Sequence, residues 1–410
     1  MNNTFTSEFF AGNRQRLREL FAGKAPIVLS ANGMLQRGGD ITFPFYQDAS
    51  FWYFTGCDEP DVVMVLDKDK EYLIVPMRDE TRVAFDGAID ETGLKALSGI
   101  DTVYDEQRGW KKLGARLEKA RHVATLPAAP SYIERMGMYT NPARRRLISR
   151  MKAQNEHIEL LDISEHITRL RMLKQPAEII ALQRAIDITQ QSLKEALRAS
   201  KLVKYQYEYE VEAELTRNFR RRGARDHAFA PIIASGKNAC TLHNERNGDK
   251  LSANGLLLCD VGAEYNHYAA DVTRTVSLGA PSKRQEAVFN SVLEVQVYAN
   301  SLLKPGVLLK DYEKQVETFM GEKLRELGLI KTIEHDAVRT YYPHATSHFL
   351  GLNAHDVGIY TEPIAPGMVL TVEPGVYIAS EALGIRIEDD VLITPEGNSV
   401  LSSGVDRKLI

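Results

Sequence analysis

Residues 256–275 read LLLCDVGAEYNHYAADVTRT, and the placement of their two aspartates decides how the rest of the chain is read. An apolar run ends in Asp260. A polar turn follows, Glu264-Tyr265-Asn266-His267, and a second strand-like run carries Asp271. Asn tolerates left-handed backbone, so a two-residue turn centred between Tyr265 and Asn266 is expected. That register sets Asp260 directly opposite Asp271 in an antiparallel hairpin. Two carboxylates side by side are unfavourable unless a cation lies between them.

Residues 369–394, VLTVEPGVYIASEALGIRIEDDVLIT, repeat the pattern. Glu373 and Glu388 are symmetric about the Ser380-Glu381 loop and are expected to oppose one another. A single such pair reads equally well as solvated edge acids. Two pairs on strands this apolar argue for burial, and buried acids need partners.

Outward from these hairpins, the 410-residue length is long for one core and points to two domains. A net charge of −4 gives no pull toward nucleic acid or anionic membrane. The three cysteines, Cys57, Cys240 and Cys259, are scattered without metal-type spacing, which fits a reduced, cytoplasmic protein. The N-terminal segment is polar and charged where a signal peptide needs an apolar run. No apolar stretch approaches the roughly 18 residues that span a bilayer.

Before residue 174 the pattern alternates between strand and helix. A helix is expected over Phe9–Phe21 and a strand over Ala25–Ala31. The aromatic run Phe51-Trp-Tyr-Phe-Thr-Gly56 reads as a buried strand, and Asp61–Pro76 as a hairpin turning at DKDK. Further strands are expected at 102–104, 122–126 and 158–163, with a helix over 110–120. No acid cluster falls on apolar strands here, so this α/β part (1–173) is assigned no chemistry. Pro176 opens a long helix to about Ala199, with an apolar stripe of Ile180, Leu182, Ile186, Ile188 and Leu193. Residues 207–222 form a second amphipathic helix, and 229–234 a strand. After the first acid hairpin come helices over 283–303 and 309–327, broken by Lys304-Pro-Gly306. Residues 342–358, YPHATSHFLGLNAHDVG, form a loop with three histidines, then the second acid hairpin follows. The order of helices, acid hairpin, helices, acid hairpin suggests a two-fold internal repeat in 176–410.

Four carboxylates, Asp260, Asp271, Glu373 and Glu388, balance two divalent cations. One cation would leave the site anionic. Carboxylates with one imidazole suit Mn²⁺, Co²⁺, Fe²⁺ or Zn²⁺ better than a Mg²⁺ or Ca²⁺ cage. Such a pair of ions equips a site for hydrolysis.

The segments CDVGAEYNHYAADVTRT, SHFLGLNAHDVG, TVEPGVYI and GIRIEDD resemble, in order, the signature segments of the pita-bread metallopeptidases. FPFYQDASFWYFTGCDEPDVVMVL is similar to the N-terminal domain of the aminopeptidase P branch. The resemblance implies an α/β (α+β) chain: a smaller N-terminal α/β domain (1–173) and a catalytic domain (174–410) with a pseudo-two-fold repeat around a curved antiparallel sheet. It implies five metal ligands, Asp260, Asp271, His348, Glu373 and Glu388, holding two divalent ions, Mn²⁺ first with Co²⁺ or Zn²⁺ as alternatives. It also implies that His243, His344 and His355 line the site beside Tyr377 and Arg386. The implied reaction removes the N-terminal residue from peptides with proline second. Glu373 would move the proton, His355 would stabilise the oxyanion, His243 would assist near the amino end, and Arg386 would orient an acid. His344, His355 and Tyr377 would contact substrate. The implied assembly is a homo-oligomer, dimer or tetramer. HATSH departs from the commoner HGxSH, with Ala345 in place of Gly. A dipeptide-specific prolidase is the near rival. Metal-free creatinase-like hydrolysis and a non-catalytic binding relative are more distant, since both go with lost ligands.

Overall fold

The computed structural model describes residues 4–68, 70–129, 133 and 135–409. Asp69 of the expected DKDK turn and residues 1–3 of the N-terminal segment lie outside the described residues. The chain divides into two compact units, Met1–Leu170 and Arg171–Ile410.

The first unit is built on a six-stranded sheet. Its spatial order is Val103–Asp105, Lys70–Val75, Val63–Asp67, Ile27–Ser30, His122–Thr125 and Glu159–Asp162. Val63–Asp67 runs against its two neighbours, and the other pairings are parallel. Val28, Val65, Ile74, Leu113 and Met151 fill the core between sheet and helices. The aromatic run corrects the expectation: residues 49–55 are a helix, Ala49–Thr55, not a strand. Local capping decides it. Asp48 Oδ1 accepts from the Phe51 N–H at 2.9 Å, and Gly56 closes the helix with φ +67°. Phe51, Trp52, Tyr53 and Phe54 are all buried, as in a helix enclosed on every side.

In the second unit, helix Pro176–Ala196 starts with proline in its first turn and a Glu178 carboxylate accepting from the Gln175 N–H at 2.9 Å. Leu182, Ile186, Ile188 and Leu193 are buried as expected, whereas Ile180 is 62% exposed. Helix Glu208–Arg221 packs beside it. Strands Ile232–Ser235, Leu256–Val261 and Val272–Ser277 make one antiparallel sheet. Val369–Val372, Asp389–Thr394 and Gly397–Val400 make another, and Gly375–Ile378 pairs with Leu383–Arg386. Helices Lys283–Leu302 and Leu309–Glu326 supply Val288, Val292, Tyr312, Val316 and Met320 to the core beneath the second hairpin. Among the described residues no helix is long and apolar enough to cross a membrane.

The first acid hairpin differs from expectation in register. Tyr265 pairs with Tyr268, so the turn is Asn266-His267, one residue later than expected. Both turn residues have positive φ, 48° and 68°, which a two-residue hairpin turn of this type demands at both centres. Asp260 therefore faces Thr273, and Asp271 lies diagonally beyond it. The pairing slips by two residues, an even number, so both aspartates keep their common face. Gly262 is required at the crossing, because a Cβ there would lie 1.7 Å from the Ala270 carbonyl oxygen.

The second hairpin keeps the expected register. Val372 pairs with Asp389, and Gly375 pairs with Arg386. Glu373 and Glu388 fall opposite each other in the gap between these two ladders.

Candidate metal centre

The two hairpins meet edge to edge. The Glu388 N–H donates to the Thr273 carbonyl at 3.1 Å, and Thr275 Oγ1 donates to the Arg386 carbonyl at 2.9 Å. The histidine loop is laid against the second hairpin: the Glu373 N–H donates to the Thr346 carbonyl at 2.9 Å, and the Thr371 N–H to the His348 carbonyl at 3.0 Å. Residues far apart in sequence thus reach one cavity of about 540 Å³. Asp260, Asp271, Glu373, Glu388 and His348 all line it, as do His243, His344, His355 and Arg386.

Ligand atoms of Asp271, His348 and Glu388 lie within 4.8 Å of one another. His348 Nε2 is 3.3 Å from Glu373 Oε1 and 3.6 Å from Asp271 Oδ2. Its Nδ1 faces the Phe349 carbonyl oxygen at 3.1 Å. A carbonyl only accepts, so Nδ1 carries the proton and the Nε2 lone pair points at the carboxylates. Burial, then His355 nearby, pushes the His348 pKa down to about 4, so the ring is neutral near pH 7. A lone pair facing two carboxylates is repulsive with nothing between them. With a cation there, it is the arrangement of a metal-ligating imidazole whose other nitrogen is tied to a carbonyl.

The acids carry the same signature. Burial, then the neighbouring charge of Glu388, pushes the carboxyls of Asp271 and Glu373 well above the usual range. Burial, then Asp260, pushes Glu388 up to about 8. Asp260 Oδ1 is buried without a hydrogen-bond partner. Three buried acids, the partly exposed Glu373, an orphaned oxygen and a neutral imidazole form a donor set that fits divalent cations.

Supporting groups fix these side chains. Thr273 Oγ1 donates to Glu388 Oε2 at 2.7 Å, and Arg386 pairs with Asp260. The Asp271 N–H donates to Asp390 Oδ2 at 3.2 Å. Glu313 accepts from the Thr346 N–H at 2.9 Å and from its hydroxyl at 2.9 Å, which anchors the histidine loop from below. Arg171 and Lys174 hold Asp356, the residue after His355. Ala345 has no positive φ, so the loop does not need glycine there.

The sequence reading missed Thr273, Glu313 and Asp390. Thr273 was discoverable, since it sits on the same strand face as Asp271. Glu313 was not, because it comes from a helix with no periodic signal marking it. Tyr377 is placed differently from a cavity wall. It is buried behind the lining, with its hydroxyl 2.8 Å from both His344 Nε2 and Arg386 Nη1. His344 Nδ1 faces the Ala345 carbonyl, so Tyr377 donates to Nε2 and accepts from Arg386. Burial, then Arg386, pushes the His344 pKa down to about 3. Burial, then His243, also lowers His355, whose ring centroid is 4.4 Å from that of His348. The three other histidines of the second unit lie away from the cavity. His227 contacts Thr216, His335 contacts Glu317, and His267 sits in the hairpin turn.

The chain is similar to known proteins in both sequence and fold. The model of metallopeptidase family M24 matches residues 181–395, more than half of the chain. The model of the aminopeptidase P N-terminal domain matches residues 10–124. The chain is 31% identical to the Xaa-Pro aminopeptidase of Escherichia coli strain K12, over 100% of this chain and 97% of that protein. Its structure is similar to that of E. coli aminopeptidase P with the inhibitor Pro-Leu. The TM-score is 0.86 at 30% identity, over 98% of this chain and 96% of the other. The zinc-substituted form of that enzyme in complex with product gives a TM-score of 0.85 over the same shares.

Proposed function

Because the chain belongs to metallopeptidase family M24 and carries an aminopeptidase P N-terminal domain, we propose that it is an Xaa-Pro aminopeptidase with a dinuclear metal centre. It is a metallo-aminopeptidase that hydrolyses the bond between an N-terminal residue and a following proline. The observation that carries the reading is the His348 lone pair aimed, with Asp260, Asp271, Glu373 and Glu388, into one buried point. These five residues would hold two divalent ions, Mn²⁺ first, with Co²⁺ or Zn²⁺ as alternatives. When bound, the ions supply Lewis acidity and lower the pKa of water.

The protein's own groups do the rest. Glu373 takes the proton of the attacking water and delivers it to the proline nitrogen, which must leave as an amine. His355, neutral near pH 7, donates a hydrogen bond to the oxygen that gains charge as the carbonyl is attacked. His243, on the same wall, orients the amino end of the peptide. Arg386 holds Asp260 with one arm and Tyr377 with another, so the acid and the His344 ring are positioned together. His344 lines the cavity and Tyr377 fixes it, which assigns substrate contact to the ring and support to the phenol. Proline has no N–H, so its side of the cavity needs shape and not a backbone acceptor. Phe229, Leu242 and Ile232 supply apolar wall to the cavity.

Self-association as a dimer or tetramer is part of the proposal. Exposed Phe85, Tyr139 and Met77 of the first unit offer apolar surface for it. The three unpaired cysteines fit a reducing cytoplasm. The test is hydrolysis of an Xaa-Pro dipeptide and of Xaa-Pro-Xaa peptides, each with Mn²⁺, Co²⁺ and Zn²⁺. Release of the first residue from the longer peptide is expected. Cleavage of the dipeptide alone would make the protein a prolidase, and turnover unaffected by exhaustive chelation would remove the metal centre.

A further inference from the structure

The first unit carries a second cavity, of about 300 Å³, at the carboxyl ends of its parallel strands. Strand Ile27–Ser30 ends at its rim with Ser30, strand Lys70–Val75 ends there with Val75, and the reversed strand begins there with Val63. In open α/β sheets this edge is where small ligands bind. A volume of this size lies at the lower end for small-molecule pockets.

Its lining is not that of a packing defect. Ser30 is 7% exposed, lines the cavity, and its hydroxyl has no hydrogen-bond partner. A buried hydroxyl without a partner carries a desolvation cost that a ligand bonding it would remove. Asp61 and Arg146 line the same space. Both residues are solvent-exposed as well as cavity-lining, so their charged ends are free to meet a ligand that enters from outside. The Asp61 carboxylate has room because residue 33 is glycine: a Cβ there would lie 2.9 Å from Asp61 Oδ1. Arg150, by contrast, is engaged with Glu106 at 2.6 Å and stacks over Trp110 at 4.0 Å. The rest of the wall is apolar, chiefly Trp110, Ile74 and Leu147.

A carboxylate and a guanidinium in the lining of this cavity, with an unsatisfied hydroxyl at a strand end and an apolar remainder, are complementary to a zwitterion with an apolar side chain. We propose that this cavity binds a free L-α-amino acid with an apolar side chain. Asp61 takes the ammonium, Arg146 takes the carboxylate, Ser30 satisfies the remaining polar atom, and Trp110 packs on the side chain. The proposal does not depend on the reading of the acid centre.

The chain has two tryptophans, Trp52 and Trp110, both in the first unit. In a Trp52→Phe chain, Trp110 is the sole indole reporter. Titration with L-leucine is expected to give a saturable change with a midpoint below about 10 mM. Leucinamide, lacking the carboxylate, and N-acetyl-leucine, lacking the ammonium, should each require at least about tenfold more, as should Arg146→Gln and Asp61→Asn. Calorimetry on the unmodified chain against Asp61→Asn gives the same comparison without altering the core. No saturable signal by either method, or equal midpoints for leucine and both blocked analogues, overturns the proposal.

Discussion

The two acid hairpins use the same materials and solve different problems. In the second, a single register runs through Val372–Asp389 and Gly375–Arg386, so Glu373 and Glu388 face each other where the two ladders part. In the first, Asp260 and Asp271 are offset, and the space opposite Asp260 is taken by Thr273. That offset matters, because the Thr273 hydroxyl then reaches across to Glu388 and ties one hairpin to the other. The opposed pair supplies charge density. The offset pair supplies charge and a crosslink. Two hairpins with identical registers would hold four acids without this bond between them.

This contrast can be broken by substitution. Glu388→Ala and Asp260→Ala remove one acid from each hairpin, and both should lose metal by elemental analysis and fall to background turnover while remaining soluble. If one retained full metal and rate, its hairpin would not belong to the centre. Glu373→Gln is expected to keep part of the metal and lose at least about 10²-fold in kcat, because the proton carrier is gone. An unchanged kcat would end its assigned role. Thr273→Val removes the crosslink, together with the bond its hydroxyl accepts from Arg386 Nε at 3.2 Å. It should lower metal affinity by about 10-fold, the low end for groups that orient a ligand. A matching loss in a Thr216→Val control, whose hydroxyl bonds the Glu212 carbonyl and His227 away from the cavity, would show that the effect is general loosening.

The acids and histidines also predict opposite pH responses in metal-free protein. Glu388 is raised from 4.5 to about 8, so the unfolded chain ionises first and stability falls as pH rises through 4.5–8. His344 and His348 are lowered from 6.5 to about 3 and 4, so they cost stability as pH falls below 6.5. Between pH 6.5 and 8 the carboxyls alone among these groups change. The Tm of chelated protein should therefore fall across that window, and the Tm of metal-loaded protein should change far less. A flat Tm after chelation would mean the acids are not held together as described.

Much of this arrangement was legible before any coordinates. Alternation and apolar runs placed the 63–67/70–75 hairpin and the long helices, because burial sets their periods. The second acid register was readable because its loop is symmetric. The first was misplaced by one residue in the turn, since the choice between Tyr265-Asn266 and Asn266-His267 rests on which residues accept positive φ. The aromatic run 51–56 misled because a short helix buried on all sides has no period to read. Its signal was the Asp48 cap and the Gly56 stop. Glu313 and Tyr377 act through contacts made only on folding, and residue type alone does not announce them.

Anomalous diffraction from crystals grown with Mn²⁺ would show whether the four acids and His348 enclose a pair of ions. Two adjacent peaks are expected, enclosed by Asp260, Asp271, Glu373 and Glu388, one of them facing His348 Nε2. An ordered cavity with no peak there, under conditions in which the protein cleaves an Xaa-Pro peptide, would contradict that expectation.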